Sequence, residues 1–219
     1  MSASPIVLAR VMTGRGELVL RRVGDDLQVI SNGTFLMDTR GGHSERLLVD
    51  AALQRHAAPR DVLIGGLGVG FSVLTALADS RVKHVTVVEI EQVLVDWHDT
   101  YLVAVSGGLL HEPRVEIVVA DITTHLAACA SSYDVVCLDV DNGPDWTVTE
   151  GNRALYADAG SRLLVAALRP QGVLSVWSAN SSPQYEQRLR AHLDELTVLE
   201  VARDRGEPDV IYVGRRPPL

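Results

Sequence analysis

From residue 61 onward, short runs of Val, Leu and Ile alternate with segments in which apolar side chains recur at helical spacing. The apolar runs predict strands at 62–65, 84–89, 114–119, 134–138 and 172–177. The intervening segments predict helices at 70–79, 91–102, 122–129, 153–168 and 183–194. Because these strands are continuously apolar rather than alternating, the pattern indicates a mainly parallel sheet covered by helices on both faces.

The first forty residues follow a different pattern, in which β-like runs are separated by short turn signals. The runs lie at 17–23, 27–30 and 34–37, with turn residues at 24–26 and 32–33. They predict a small antiparallel β unit within residues 1–42. After Gly41 and Gly42, helical spacing predicts a helix from about His43 to Ala57, which Pro59 ends.

The last residues predict two strands, 198–203 and 210–213, around a Gly-Glu-Pro turn. We therefore expect residues 43–219 to form one Rossmann-like domain of the α/β class. Its core is a doubly wound, mainly parallel seven-stranded sheet that ends in an antiparallel hairpin. A chain of 219 residues accommodates such a domain and a small extra unit, but not two full domains.

Composition and charge exclude several classes of partner. The net charge is −8 and Lys83 is the only lysine, which argues against nucleic acid or an anionic membrane as the main partner. No apolar run is long enough to span a bilayer and no signal peptide is evident, so we expect a cytoplasmic protein. The seven histidines show no metal-ligand spacing, and we expect no metal.

A glycine-rich turn follows the first predicted strand of the sheet. Its glycines are Gly65, Gly66, Gly68 and Gly70, and a helix begins directly after them. Such a turn lets the backbone approach a ligand closely. Glu89 ends the next predicted strand, where a carboxylate can accept both hydroxyls of a ribose.

Two further strands end in acidic residues. Asp121 follows the third strand, and the fourth runs into a loop that contains Asp139 and Asp141. Because ligands bind at the carboxyl ends of parallel strands, we expect these strand ends to converge on one crevice. The combination predicts that a nucleoside-containing ligand binds there.

The order of the strand ends suggests a role for each residue. The turn glycines, Gly65 to Gly70, supply backbone amides and space. We expect Glu89 to hold the ribose, Ile90 to pack on the base, Asp121 to accept from the adenine amine, and the Ile122 amide to face a ring nitrogen. Asp139 and Asp141 lie where the reactive end of the ligand belongs, and a carboxylate there can take a proton from an attacking amine.

An amine acceptor would bind beside this acidic loop. Residues that are expected to line its pocket are His43, Asn142, Trp146, Asn152 and Tyr156. The aromatic face of Trp146 can hold a cation, although packing of the ring is the alternative. Asp141 and Asn142 are also a common pair in turns, and Trp177 is expected to be a core residue.

Several segments resemble the spermidine/spermine synthase family of polyamine aminopropyltransferases. They are 62–70, 85–90, 113–121, 133–144 and 168–176, within a similarity that extends over about residues 17 to 180. The resemblance implies the class I S-adenosylmethionine-dependent methyltransferase fold, an adenosyl sulfonium donor and a homodimer. It also implies that Glu89 and Asp121 hold the nucleoside and that Asp139 is the catalytic acid/base.

The chain departs from the family pattern in the glycine-rich turn. The family carries an acid there, which contacts the ammonium of decarboxylated S-adenosylmethionine, whereas this chain has Gly68. An acid would repel the carboxylate of ordinary S-adenosylmethionine by about 4 kcal/mol at 4 Å and an effective dielectric constant of 20. The acidic loop and the segment that begins at His43 also differ from the family.

These differences lead to three functional hypotheses. The first is methyl transfer from S-adenosylmethionine to a small amine-bearing acceptor, with Asp139 as the base and with Asp141 and Trp146 holding the acceptor. The second is a polyamine aminopropyltransferase that uses decarboxylated S-adenosylmethionine. The third is a nucleoside-binding protein without catalytic activity.

Overall fold

The computed structural model describes residues 4–147, 150–203 and 206–218. The first sheet contains four antiparallel strands in sequential order: β1 (Ile6–Thr13), β2 (Gly16–Val23), β3 (Asp26–Ser31) and β4 (Thr34–Asp38). Strand β1 was not predicted from the sequence. Asn32 and Gly33 turn the chain between β3 and β4 with φ values of 49° and 80°, which is the conformation that a two-residue type I′ hairpin requires.

The second sheet has seven strands in the order β10-β11-β9-β8-β5-β6-β7. Their bounds are β5 (Asp61–Gly65), β6 (His84–Glu89), β7 (Val115–Val119), β8 (Tyr133–Leu138), β9 (Leu168–Ser178), β10 (Asp194–Val201) and β11 (Asp209–Arg215). Strands β5 to β9 pair in parallel, whereas β11 is antiparallel to β9 and to β10. The predicted doubly wound sheet with a closing antiparallel hairpin is confirmed.

Eight α-helices connect these strands in the described part of the chain. They are α1 (His43–Arg55), α2 (Phe71–Ala78), α3 (Gln92–His98), α4 (Val103–Ser106), α5 (Ile122–Ala127), α6 (Arg153–Tyr156), α7 (Asp158–Ala167) and α8 (Pro183–Arg190). The structure corrects three predicted helices. The helix predicted at 91–102 ends at His98, and α4 follows separately from Val103. The segment 153–168 forms two helices because Ala157 is extended, with ψ of 169°. The helix predicted to reach residue 194 ends at Arg190, and Glu195, with φ of 52°, lies at the irregular start of β10.

Helices cover both faces of the large sheet. Helix α1 contributes Leu48 and Ala52 to an apolar cluster on one face, and α5 and α7 contribute Leu126 and Leu164 to a cluster on the other. A third cluster joins the N-terminal sheet to α2 and α3 through six buried side chains, namely Leu18, Leu20, Val29, Phe71, Leu94 and Trp97. This packing brings β4 and the β1–β2 turn to the edge of the sheet where β5 and β6 end.

The proposed boundary between units 1–42 and 43–219 falls at Gly42, directly before α1, and stays a prediction. Residues 1–3, 148–149, 204–205 and 219, which those ranges include, lie outside the described residues. Among the described helices, none is sufficiently long and apolar to cross a bilayer.

Candidate active site

The glycine-rich turn lies against the end of β8. The Gly66 amide donates to the carbonyl of Val88, and the Asp139 amide donates to the carbonyl of Gly65. A Cβ atom on Gly66 would lie 2.1 Å from the carbonyl oxygen of Asp139, and its φ is +93°. Only glycine fits this position, so the turn brings the strand end of β5 into direct contact with the candidate base.

Glu89 is buried at the carboxyl end of β6, with 6% of its surface exposed. Its Oε2 accepts from the Leu67 amide (3.0 Å), and its Oε1 accepts from the Glu91 amide (2.8 Å). Burial raises the pKa of Glu89 despite these bonds. Because each carboxylate oxygen has a second lone pair, the side chain retains capacity to accept from a ribose diol.

Asp121 is the N-cap of α5. Its carboxylate accepts from the Thr123 amide (2.9 Å) and the Thr124 amide (3.1 Å), which fixes its position beside Glu89 at the sheet edge. Burial acts to raise the pKa of Asp121, but the hydrogen bonds from the two threonines outweigh it and hold that pKa below its usual value. Ile122 is buried at the start of the same helix, in contact with the sheet.

The β1–β2 turn contacts the same corner of the sheet. Arg15 Nε donates to Glu91 Oε1 at 2.8 Å, and its guanidinium also donates to the carbonyl of Ile90. Thr13 Oγ1 donates to the same Glu91 oxygen at 3.2 Å. Ile90 is only partly buried, so its side chain is accessible beside this turn.

A cavity of about 680 Å³ opens beside the glycine-rich turn and the end of β8. Its wall includes Gly68, Gly70, Asp139 and the acidic loop, together with β4 and the first turn of α1. The predicted residues that line it are His43, Gly68, Gly70, Asp139, Asp141, Asn142 and Trp146. Glu89 and Asp121 are placed at the ends of the neighbouring strands β6 and β7, so the predicted nucleoside and acceptor regions occupy adjacent stretches of one sheet edge.

Asp139 is the central carboxylate of this cavity. Ser72 Oγ donates to its Oδ2 at 3.1 Å. Burial and, to a smaller extent, the carboxylates of Glu45 and Asp209 raise the pKa of Asp139 to about 7, although the Ser72 hydrogen bond acts to lower it. A carboxylate with a pKa near neutrality is suited to general base catalysis.

The acidic loop after β8 is held by its own polar groups. Asp141 has φ of 62°, and its Oδ2 accepts from Asn152 Nδ2 at 2.8 Å. The Asn142 carbonyl accepts from the Ala179 amide, which ties the loop to the end of β9. Asp141 and Asn142 therefore form a turn, and both also line the cavity.

Of the aromatic residues considered from the sequence, Tyr156 departs from its predicted place. Trp146 lines the cavity with 54% of its surface exposed, whereas Tyr156 is 2% exposed and packs edge-to-face on Tyr185. The Tyr156 hydroxyl donates to the Val140 carbonyl at 2.5 Å, so Tyr156 supports the acidic loop from the core instead of lining the acceptor pocket. Trp177 packs against the core as expected and also lines the cavity, and its Nε1 is buried without a hydrogen-bond partner in the described part of the chain.

Three carboxylates of the cavity, Asp38, Glu45 and Asp209, were not predicted from the sequence. Asp38 is the last residue of β4. Glu45 lies in the first turn of α1, and Asp209 is the first residue of β11. Only the antiparallel direction of β11, which starts where the parallel strands end, brings Asp209 to this edge. The closing hairpin was predicted from the sequence, but its register was not, so the position of Asp209 could not be derived. No cluster of three or more metal-ligating side chains occurs among the described residues.

Comparison with known proteins addresses the family directly. Residues 43–200 match the family model of the spermine/spermidine synthase domain. The chain belongs to this family. The resemblance inferred from the strand ends and the glycine-rich turn is thereby confirmed.

Two curated relatives of this chain are polyamine aminopropyltransferases. The chain is 36% identical over 134 residues to polyamine aminopropyltransferase 2 of Pseudomonas aeruginosa, which covers 59% of this chain and 36% of that protein. It is 32% identical over 146 residues to polyamine aminopropyltransferase 2 of Hyperthermus butylicus, covering 66% of this chain and 46% of that protein. This spermine/spermidine synthase family member thus matches less than half the length of these relatives.

Solved structures confirm the fold. A spermidine synthase in complex with the transition state analogue AdoDATO superposes with a TM-score of 0.83, covering 97% of this chain and 74% of that chain at 17% identity. The spermidine synthase of Thermotoga maritima gives a TM-score of 0.81 over the same shares. The small antiparallel sheet and the seven-stranded sheet are therefore the architecture of spermidine synthases.

Proposed function

We propose that this protein is an aminopropyltransferase, which transfers the aminopropyl group of decarboxylated S-adenosylmethionine to an amine acceptor. The observation that carries the proposal is the charge of the cavity. Its wall contains the carboxylates of Asp38, Glu45, Asp139, Asp141 and Asp209, and Arg203 is the one Arg or Lys in its described lining. Such a wall attracts ammonium groups and repels carboxylates.

This charge distribution favours the decarboxylated donor over ordinary S-adenosylmethionine. The absence of an acid at Gly68 removes one source of repulsion toward the donor carboxylate, but five carboxylates remain in the same cavity. Asp38 and Asp209 are paired with Arg40 and Arg203, so the repulsion comes mainly from Glu45, Asp139 and Asp141. A pair of like charges 4 Å apart costs about 4 kcal/mol at an effective dielectric constant of 20. The methyl-transfer hypothesis, which rested on Gly68 together with the altered acidic loop and the altered segment at His43, is therefore the weaker one, and no relative described above supports it.

The donor nucleoside would lie at the ends of β6 and β7. In this proposal Glu89 binds the ribose hydroxyls, Asp121 and the Ile122 amide bind the adenine edge, and Ile90 packs on the base. The glycine-rich turn, Gly65 to Gly70, leaves space for the sulfonium between the nucleoside and Asp139. The strand order β7-β6-β5-β8 supports this sequence of subsites, because it places the turn between the two groups.

The reaction is a direct displacement. The acceptor nitrogen attacks the aminopropyl carbon next to sulfur, so an N–C bond forms while the C–S bond breaks. The electron pair of that bond goes to sulfur, which leaves as the neutral thioether of methylthioadenosine. Asp139 takes a proton from the amine, and a near-neutral pKa lets it do so without a strongly basic medium. Alignment of nitrogen, carbon and sulfur in the cavity supplies a large part of the acceleration.

The proposal is tested by offering both donors with a set of mono-, di- and triamines. We expect an aminopropylated amine, and methylthioadenosine in equal amount, only with the decarboxylated donor. Asp139→Asn should lower turnover about 10²–10⁴-fold while methylthioadenosine still binds. A methylated amine from S-adenosylmethionine would support methyl transfer instead. Donor binding without any transfer would favour the inactive nucleoside-binding protein.

We also propose a homodimer and a cytoplasmic location, as the family resemblance and the sequence indicate. Light scattering after size-exclusion chromatography tests the dimer, since a monomeric mass across the micromolar range would contradict it. Fractionation of cells that produce the native protein tests the location.

A further inference from the structure

His98 is a buried histidine to which the proposed reaction gives no role. It is the last residue of α3, and none of its surface is exposed. Its Nε2 lies 3.0 Å from the carbonyl oxygen of Gly68, and the ring makes no other hydrogen bond in the described part of the chain. Because a carbonyl oxygen only accepts, Nε2 carries the proton and donates it. His98 thus holds the glycine-rich turn from behind, since Gly68 lines the cavity and His98 does not.

The imidazole ring also packs directly against the turn. A Cβ atom on Gly70 would lie 3.3 Å from His98 Cε1, so the ring occupies the space next to this residue. Burial lowers the pKa of His98, although the hydrogen bond to Gly68 and the carboxylate of Asp99 act to raise it, and the ring is neutral near pH 7. A neutral donor holds the carbonyl without placing a positive charge behind the proposed sulfonium site.

The hydrogen bond fixes the direction of one peptide group. The Gly70 amide donates to the Leu67 carbonyl at 3.0 Å, so Gly68 and Val69 are the central residues of a closed turn. Gly68 has φ of +55° and Val69 has a negative φ, which is the combination of a type II′ turn. Reversal of the peptide between them would give a type I′ turn, which needs a positive φ at the β-branched Val69. Val69 and His98 therefore favour the same direction, with the Gly68 carbonyl toward the core.

Loss of the imidazole would leave the Gly68 carbonyl buried without a donor. Such a group is unfavourable, and it regains a partner by turning toward the open cavity. The turn would then narrow the space beside Asp139 that the proposed function assigns to the sulfonium. The nucleoside subsite would change much less, because the Gly66 and Leu67 amides hold the start of the turn to β6 and to Glu89 independently of His98.

We propose that His98 is a positioning residue for the sulfonium end of the donor, because its hydrogen bond to Gly68 holds the glycine-rich turn in the shape that admits the aminopropyl group. The inference rests on the proposed aminopropyl transfer, which places that group beside the turn. It predicts a selective defect, because methylthioadenosine has the nucleoside and the sulfur of the donor but lacks the aminopropyl group. Variants of His98 should therefore lose affinity for the decarboxylated donor and keep affinity for methylthioadenosine.

Calorimetry of both ligands with His98→Leu and His98→Gln measures this defect. Leu fills the site without a donor, whereas the amide nitrogen of Gln comes near the position of Nε2 and can donate to the carbonyl. We expect His98→Leu to weaken binding of the decarboxylated donor at least tenfold and of methylthioadenosine less than twofold. His98→Gln should recover donor binding to within threefold of the wild type. Ser106→Ala is the matched control, because Ser106 is buried beside Gly70 and its hydroxyl has no partner in the described part of the chain.

Steady-state kinetics separate positioning from a general effect on the fold. In His98→Leu, KM for the donor should rise at least tenfold while KM for 1,4-diaminobutane stays within twofold. Equal losses of donor and methylthioadenosine binding would overturn the inference, and so would equal defects in the Leu and Gln variants. Unchanged donor binding in His98→Leu would also overturn it.

A second pair of variants keeps the test decisive if His98→Leu does not fold, which thermal unfolding would reveal. His98→Asn then replaces it, because its shorter side chain keeps an amide that does not reach Gly68, and it is compared with His98→Gln in the same way. A wild-type protein that binds methylthioadenosine but not the decarboxylated donor contradicts the proposed function itself. A wild type that binds the donor, with a His98 variant that binds it equally well, contradicts the role of His98 alone.

Discussion

At the scale of single residues, the environment of Asp139 determines the pH at which the site works. Burial and neighbouring carboxylates raise its pKa to about 7, whereas the Ser72 hydroxyl stabilises its charged form. Asp139 must be ionised to accept a proton, so activity should rise with pH through about 7. The hydroxyl of Ser72 is therefore a positioning and tuning group for the candidate base.

Ser72→Ala should shift the acidic limb of the kcat profile to higher pH. Removing a hydrogen bond to the carboxylate raises the pKa of Asp139, so the variant is less ionised at pH 7 and slower there, while its rate recovers at higher pH. Thr75→Ala is the matched control, because Thr75 lies on the same helix and its hydroxyl donates to the Phe71 carbonyl instead of to Asp139. Superimposable pH profiles for wild type and Ser72→Ala would contradict this role.

Gly68 is the residue at which donor choice can be altered. Its φ is +55°, which Asp tolerates better than most residues, and a Cβ there would contact only Met37 Sδ, at 3.6 Å. Gly68→Asp should therefore fold and should increase the preference for the decarboxylated donor about tenfold or more, because the new carboxylate attracts its ammonium and repels the carboxylate of S-adenosylmethionine. Calorimetry with both donors measures the ratio.

Gly68→Asn is the control for that experiment, since it has the same shape without the charge. If Asn and Asp change the donor ratio equally, the effect is steric and the electrostatic account is wrong.

At the scale of secondary-structure elements, the site depends on contact between strand ends. The β5 turn and the β8 end approach so closely at Gly66 that any side chain there displaces Asp139. The same edge receives the start of β11, which brings Asp209, and the first turn of α1, which brings Glu45. Each element contributes one or two groups, and the sheet sets their order.

Gly66→Ala should damage both stability and activity. The substituted residue has φ of +93°, and its Cβ would overlap the Asp139 carbonyl, so we expect a loss of about 3 kcal/mol or more in the free energy of unfolding. Urea unfolding measures it. Gly107→Ala is the control, because its φ of +61° imposes strain but no atom lies within 4 Å of the added Cβ. Equal losses in the two variants would show that the β5–β8 contact adds nothing to backbone strain.

The elements themselves were largely predictable, because apolar periodicity reports burial along each segment. The five parallel strands and the closing hairpin agree with the pattern of Val, Leu and Ile. Strand β1 was missed, since its exposed Ile6, Val7 and Met12 follow no clear alternation. The break at Ala157 was missed because a single extended backbone angle leaves no mark on side-chain periodicity.

At the scale of the whole molecule, net charge and the local charge of the cavity carry different information. A net charge of −8 excluded nucleic acid as an expected partner, but it did not reveal that five carboxylates share one cavity. Glu45 and Asp209 are far apart in the sequence, and only the folded chain brings both to the wall near Asp139. The residues at strand ends could be predicted from the local sequence pattern. Glu45 and Asp209 could not, because their place in the cavity depends on how α1 and β11 pack against the sheet.

The acidic cavity should make the reaction sensitive to salt. The Debye length falls from about 10 Å at 0.1 M to about 3 Å at 1 M, so added salt screens the attraction between the cavity and a cationic acceptor. Raising NaCl from about 0.05 to 0.5 M should lower kcat/KM for a diamine several-fold and leave kcat nearly unchanged. Steady-state kinetics measure both. A fall in kcat with constant KM would point to an effect on the chemical step instead of on attraction.

The positions of the tryptophans have an optical consequence. The chain contains three, and two of them, Trp146 and Trp177, face the cavity, while Trp97 is 3% exposed in the core beneath the N-terminal sheet. Amine or nucleoside entering the cavity changes the polarity around two indoles and leaves the third as a constant background. Intrinsic fluorescence should therefore report ligand binding without a label. Trp146→Phe and Trp177→Phe would show whether the signal comes from the exposed Trp146 or from Trp177 near the end of β9.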